Sequence, residues 1–422
     1  MKYNNLVNIE EFFLKNKVVL LHIDSDYSSS HNKFGKKFDV IDSILYLLKN
    51  DVKLVILSTG KRYRNHRDYL DHKKNSKDFY DALVEKIGSN RFVAQFTETT
   101  RHDYIIKVIN DLPPNSLLFL DNAFNNDYND KEMVNFESNY ENDLGAYWAS
   151  LCDLYIDDNF ANLYHKISSN YGIEQFKNDA SGIGYLVNKE IENILNLKKK
   201  IFVNSTLILS GLVSRNNLDI LLNSLSKFDH IILTGELSFL FLKIKFGSNL
   251  KVNYDEDLFK LANKIYKKYS KKIYLPSDFL LSDRNSTIQD AKNIKVDGTN
   301  FENKLIFDIG NNSIDEFKNI IKDSNSIVLC NLSSNYYNME MPILSSEEIL
   351  KEINTQTKTG KTSIICWDNN CNEIISKKYF NEGDFSYLSS GDISTLSLLL
   401  DDHLFGLDGV SKKANFFKKI FK

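Results

Sequence analysis

Short apolar runs alternate with longer segments of helical periodicity along almost the whole chain. Runs at residues 18–23, 52–57, 117–120 and 154–156 form a first set, and runs at 206–209, 231–233, 273–275, 327–329 and 362–366 form a second. Strand, helix and strand at this spacing predict parallel sheets joined by right-handed crossovers. Between the two sets, residues 184–197 place apolar positions at helical spacing and end in the charged run Lys198, Lys199 and Lys200. That segment reads as a connecting helix, so the pattern predicts an α/β protein of two Rossmann-like lobes, 1–183 and 201–405, joined by a helix and hinge at 184–200. No internal repeat or low-complexity linker interrupts it.

The stretch 305–321, LIFDIGNNSIDEFKNII, orders the second lobe. Leu305 to Phe307 suit a buried strand covered on both faces, Gly310 suits a tight turn, and Ser313 with Glu316 reads as a capping box at a helix start. The turn is either structural or a place for an anion at the helix N-terminus beyond the sheet edge.

Composition narrows the class. The chain has 422 residues with 53 Lys and Arg against 56 Asp and Glu, a net charge of −3, which gives no footing for a nucleic-acid binder. Cys152, Cys330, Cys366 and Cys371 show no metal-ligand spacing, and the first ten residues are too polar for a signal peptide. No apolar run reaches the length of a membrane span. The expectation is a reduced, cytoplasmic protein. Four prolines and abundant Asn, Lys, Ile, Phe and Tyr point to an AT-rich genome.

Several motifs then align with one family. Asp308-Ile309-Gly310, the hydroxyl at Ser313 and Glu316-Phe317 resemble the nucleotide-side turn of phosphoglycerate kinase, and Leu275-Pro276-Ser277-Asp278-Phe279 resembles its Leu-Pro-x-Asp-Phe. The segment from Gly184 to Ile191 is similar to the family's interdomain helix, and Leu407-Asp408-Gly409-Val410 to its closing Leu-Pro-Gly-Val. The resemblance spans nearly the whole chain in order. It implies an amino-terminal lobe for a sugar-acid phosphate, a carboxy-terminal lobe for a nucleotide, and a tail, 406–422, returning to the first lobe.

Residue by residue, the resemblance implies depleted chemistry. The family's Arg-Val-Asp-Phe-Asn stands here as His22-Ile23-Asp24-Ser25-Asp26, keeping the substrate-binding Asp24, and its Ser-His-x-Gly-Arg as Ser58-Thr59-Gly60-Lys61-Arg62, keeping Arg62. Lys36 and Lys37 occupy the region of a catalytic arginine, and a further arginine is His165. A lysine lacks the bidentate fork of arginine. On the nucleotide side the glycine loops become Ser210-Gly211-Leu212-Val213, Thr234-Gly235-Glu236-Leu237, Cys330-Asn331-Leu332-Ser333, Cys366-Trp367-Asp368-Asn369 and Ser390-Gly391-Asp392-Ile393, so Glu236, Trp367, Asp392 and Ile393 read as obstacles to a phosphate. Each missing cation or donor costs on the order of 2 to 4 kcal/mol of transition-state stabilisation.

The expectation drawn from this count is a phosphoglycerate kinase-like pseudoenzyme. It has no catalytic residue and no cofactor beyond weak ADP or ATP with magnesium at Asp308, Gly310, Ser313 and Asn331, and it serves as a subunit of a larger assembly, an ATPase motor or cytoskeletal machine. The alternative is a divergent working kinase, converting ATP and 3-phosphoglycerate with Asp24, Arg62, Lys36 or Lys37, and Asp368. A third reading takes Asp24, Asp26, Ser58 or Thr59, Lys61, Asp157 and Asp158 as a haloacid-dehalogenase phosphatase pattern, which accounts for the chain only to about Asp158. Gly360-Lys361-Thr362 precedes a strand and reads as a turn. In the tail, Phe416, Phe417, Lys418, Lys419, Ile420 and Phe421 combine apolar and basic positions at helical spacing, for docking on the chain's own first lobe or on a partner protein ahead of a membrane. The acidic stretch 125–141 reads as a surface for basic partners.

Overall fold

In the computed structural model the described residues are 3, 5–26, 39–60, 62–63, 65–72, 76–88, 92–252, 254–283, 288–331, 344–366 and 380–412. The chain divides into two compact units, 1–193 with 402–422 and 194–401. The division falls within one helix, Tyr185–Lys198.

The first unit runs β1 (Val18–Asp24), α1 (Ile41–Lys49), β2 (Lys53–Thr59), α2 (His66–His72), α3 (Lys77–Ile87), β3 (Val93–Thr97), α4 (Tyr104–Asp111), β4 (Ser116–Asn122), α5 (Asn142–Ser150), β5 (Leu154–Asp157) and β6 (Ser181–Ile183), and α6 (Tyr185–Lys198) leaves it. Its six strands pair in the order β3-β4-β2-β1-β5-β6, all parallel. The alternation of side chains along each strand divides the apolar runs between two cores. Val19, Leu21, Ile23, Leu54, Ile56 and Phe119 pack with Ile44 and Leu47 of α1 and Phe79 and Leu83 of α3. Leu20, Val55, Leu57 and Leu118 pack on the other face with Ile105 of α4 and Leu144 and Trp148 of α5. Continuous apolar runs in the sequence are therefore what a sheet covered on both faces demands.

The carboxy-terminal segment is stitched into this unit. Leu6 and Lys412 form an antiparallel bridge, Val7 N donates to Ser411 O at 2.9 Å, and Ser411 N donates to Ser181 O at 3.1 Å. Residues 413–422, including Phe416 to Phe421, lie outside the described residues.

The second unit runs β7 (Ser205–Leu209), α7 (Arg215–Leu225), β8 (His230–Leu233), α8 (Gly235–Phe246), α9 (Glu256–Tyr269), β9 (Ile273–Tyr274), β10 (Asp278–Asp283), β11 (Lys292–Lys295), β12 (Lys304–Ile309), α10 (Asn311–Asp323), β13 (Ser326–Cys330), α11 (Leu344–Lys358), β14 (Thr362–Cys366), β15 (Tyr387–Ser389) and α12 (Ile393–Leu400). A parallel sheet has the order β15-β14-β13-β7-β8-β9, and a smaller antiparallel sheet has the order β11-β10-β12.

The smaller sheet corrects the reading of residues 305–321. Leu305 to Phe307 lie in β12, whose antiparallel partner is β10, and Leu305 and Phe307 are only partly buried. An apolar run of three or four residues does not distinguish a two-sided parallel strand from this arrangement. The helix that follows starts at Gly310 with an ordinary φ of −80° and without a side-chain cap from Gly310 itself. Glycine is required there by space: a Cβ would lie 2.2 Å from Cγ of Asp278. The Asp278 carboxylate takes Ser313 N at 2.8 Å and Asn312 N at 3.2 Å, and Ser313 Oγ donates to it at 2.6 Å. Glu316 accepts from Ser277 Oγ at 3.0 Å instead of closing a capping box. The anion at this helix N-terminus is thus the chain's own Asp278.

Candidate functional site

In each unit the polar residues at the carboxyl ends of the parallel strands gather along one sheet edge, where a doubly wound fold leaves its crevice. In the first unit β1 ends at Asp24, β2 at Thr59 followed by Gly60, β4 at Asn122 and β5 at Asp157. Asp26 N donates to Asp24 Oδ1 at 2.8 Å. Gly60 N donates to Asn122 Oδ1 at 2.7 Å, which also accepts from Phe124 N at 3.1 Å. A Cβ on Gly60 would meet Asn122 Cγ at 3.2 Å and Ser25 Oγ at 3.3 Å, so three strand-end loops converge there. Asp24 precedes this junction and Arg62 follows it. Arg62 is exposed, with its guanidinium 4.3 Å from the centre of the buried Phe124 ring.

Beneath that edge lies a buried polar layer centred on His22. The β1 and β5 register sets His22 opposite Asp157, with Nδ1 3.2 Å from Asp157 Oδ1. Its Nε2 lies 3.1 Å from Asn159 Nδ2, 3.3 Å from Ser169 Oγ and 3.4 Å from Thr59 Oγ1. Ser169 N donates to Glu137 Oε2 at 3.1 Å. Glu137 is wholly buried, and burial pushes its carboxyl up to about 8 despite the Ser169 bond. Asp127 is buried too and shifted in the same direction for the same cause. The stretch 125–141 therefore turns two of its acids inward and does not present them to a basic partner. His165 is held down to about 3 by burial first and by the Arg62 charge second, which makes it a neutral neighbour of Arg62.

Asp157 and Asp158 also face inward. Asp157 accepts from Asn159 N at 2.9 Å and from Tyr155 Oη at 3.1 Å. Asp158 accepts from Val187 N at 3.0 Å in the first turn of α6, and burial raises it to about 7. Both carboxylates are built into the protein, away from the magnesium roles of the phosphatase pattern. Among the described residues no group of three His, Cys, Asp or Glu is placed to hold a metal ion.

In the second unit the parallel strands end in Ser210-Gly211 after β7, Gly235 after β8, Asn331 after β13 and Ser390 to Asp392 after β15. Gly235 has φ +65°, and a Cβ on it would lie 2.4 Å from Ser210 Oγ and 3.1 Å from Gly211 N. Leu237 N donates to Gly211 O at 2.9 Å, so the two loops pack backbone on backbone. Glycine, not Glu236, makes the close approach. Asp392 caps α12 through Ile393 N, which engages the carboxylate that reads from sequence as a repelling charge.

The sequence-selected residues thus fall in three groups. Asp24 and Arg62 stand at the first edge and Asn331 at the second. Asp308, Gly310 and Ser313 belong to the three-stranded sheet and α10, where Asp308 accepts from Ser345 N at 2.9 Å at the start of α11. Lys36, Lys37 and Asp368 lie outside the described residues. Sequence reading missed Asn122 and Glu137. Asn122 carries the same signal as Asp24, a polar residue directly after a buried apolar run.

Two α/β units, each drawing its strand-end loops to the carboxyl edge of a six-stranded parallel sheet, define a bilobal Rossmann-like protein. A family model described as phosphoglycerate kinase matches residues 9–401, and the chain belongs to the phosphoglycerate kinase family. The phosphoglycerate kinase of Malacoplasma penetrans is 30% identical over 340 residues, covering 78% of this chain and 70% of that protein. That of Fusobacterium nucleatum is 26% identical over 419 residues, covering 96% of this chain and 99% of that protein. The crystal structure of phosphoglycerate kinase from Pyrococcus horikoshii OT3 superposes with a TM-score of 0.73 at 19% identity, covering 98% of this chain and all of that one.

These findings overturn the expectation of a pseudoenzyme serving as an assembly or motor subunit. The match runs through both units and along the full length of relatives named as kinases, which supports the active-kinase alternative. Part of the depletion on the nucleotide side has a structural role instead: Asp392 caps α12, and Gly235, next to Glu236, packs its backbone against Gly211. Among the described residues no helix is long and apolar enough to cross a membrane.

Proposed function

We propose that the protein is a working phosphoglycerate kinase, moving a phosphoryl group between ATP and 3-phosphoglycerate. The observation that carries the reading is the unbroken family match over residues 9–401. In this reading the sugar-acid phosphate lies at the edge of the first sheet, with Arg62 supplying a bidentate cation and Asp24 accepting from a substrate hydroxyl. The nucleotide lies along the edge of the second sheet, beside the partly exposed Gly211 and Asn331, with the buried Gly235 packing against Gly211 to hold that loop. Magnesium arrives with ATP as part of the substrate. Asp308 and Ser313 keep their structural bonds and serve the nucleotide side by holding α10 and α11 in place.

Phosphoryl transfer needs positioning and charge neutralisation more than covalent participation, so a site with few cations works if those present are well fixed. A coupled assay with ATP and 3-phosphoglycerate tests the reading. Turnover on the order of 10 per second is expected, and a folded chain giving none at saturating substrates overturns it.

A further inference from the structure

Arg62 lies in a segment, 60–63, that is tied to segment 122–128. Gly60 N donates to Asn122 Oδ1 at 2.7 Å, and the Arg62 guanidinium lies on the Phe124 ring at 4.3 Å. Tyr63 Oη donates to Asn125 Oδ1 at 3.3 Å, and Tyr128 Oη donates to the Tyr63 carbonyl at 2.9 Å. The far end is locked by rings: Tyr63 meets Tyr69 and Tyr128 edge-on at 5.3 Å and 5.6 Å, and Tyr69 stacks on Tyr128 at 4.8 Å. These three tyrosines form a buried cluster separate from the two main cores of the unit. His66 stacks on Tyr69 and Tyr128 and its Nε2 lies 2.8 Å from Asn129 O.

A loop residue that carries charge gains nothing from a fixed scaffold unless its own backbone is fixed, and a long exposed arginine has much rotamer freedom to lose. The links act on both sides of Arg62: Asn122 two residues before it, Tyr128 one residue after it. We infer that Tyr128, with Asn122 and Asn125, positions Arg62 to receive the phosphate of the sugar-acid substrate. The inference rests on the kinase reading for the identity of that substrate. Tyr128 is a positioning residue and touches no ligand.

The test uses the full chain and the variant Tyr128→Phe, which removes one hydroxyl and keeps the ring stack. Binding of 3-phosphoglycerate is measured by calorimetry, and KM for each substrate by the coupled assay. Tyr128→Phe is expected to weaken 3-phosphoglycerate binding and raise its KM about fivefold to tenfold, with KM for ATP within about twofold of the parent. In an Arg62→Ala background the same change is expected to move binding by less than about twofold, because residues acting through one another are not additive. An equal loss in that background, an equal loss for ATP, or no loss at all overturns the inference. Should Tyr128→Phe lack a cooperative unfolding transition, Asn125→Ala carries the same comparison through Tyr63. A parent chain that binds 3-phosphoglycerate without turnover removes the kinase reading alone and leaves the binding comparison decisive. A parent that does not bind it overturns both.

Discussion

Arg62 and Glu137 show how a side chain's surroundings decide its role at the scale of single residues. Arg62 is exposed over Phe124, and on the proposed reading its planar fork grips two phosphate oxygens. Arg62→Lys keeps the charge and loses the fork, and kcat/KM for 3-phosphoglycerate is expected to fall about a hundredfold; a change under threefold in the coupled assay would argue that another cation does the gripping. Glu137 is the opposite case, an acid sealed from water whose carboxyl burial raises from an ordinary 4.5 to about 8. Its folded pKa lies above its unfolded one, so between those values the folded state binds more protons. Its stabilising contribution is complete below pH 4.5 and is lost as pH climbs through 8. Urea unfolding at pH 5.5 and pH 8.5 is expected to show a drop on the order of a few kcal/mol across that window, shared with the buried Asp158, and Glu137→Gln is expected to make it smaller. A variant with the parent's slope would place the proton elsewhere. The identity of Glu137 was plain in the sequence; its burial was not, because an acidic stretch reads as solvated until Ser169 is brought beneath it.

Among elements, the start of α10 is the most informative. Asp278 stands on β10, 35 residues before Ser313, and supplies the helix with the carboxylate that its first N–H groups need. Asp278→Ala removes bonds to Asn312 N and Ser313 N at a buried position, with an expected cost of about 2 kcal/mol in chemical denaturation. Gly310→Ala is expected to cost at least as much, since the added methyl would stand 2.2 Å from the Asp278 carboxyl carbon and the cap would have to give way. If Gly310→Ala left the midpoint unchanged, the fit of Gly310 against Asp278 would be wrong. Helix and strand were both legible here from Leu305 to Ile321, with the turn between them. The partner of β12 and the source of the cap were not, because each comes from chain outside the window that periodicity reads.

At the scale of the molecule, the first unit is assembled from both ends of the chain, 1–193 with 402–422. Among its closing contacts, Gly409 N donates to the buried Glu174 Oε2 at 2.9 Å, and Ser411 bonds to Val7 and Ser181. Removing residues 402–422 is expected to lower the unfolding midpoint of the first unit by several degrees while leaving the second unit's transition in place. Trp148, wholly buried in the first unit, reports on it by fluorescence once Trp367, the other of the two tryptophans, is replaced with Phe. A parallel fall in both transitions would show that the strip stabilises more than its own unit.

The sequence by itself determined the two sets of parallel strands, the helix linking them, and the places of Asp24 at the end of one strand and Arg62 just beyond another, since period and burial act within a few neighbouring residues. It also determined the family, through motifs kept in order along the chain. Tertiary structure alone decided which carboxylates the protein's own backbone takes up. Asp308 and Asp158 look like chemistry in one dimension and Asp392 like an obstacle to it, yet these three and Asp278 satisfy backbone N–H groups in three, because a helix N-terminus exerts the same pull on a neighbouring side chain as on a phosphate.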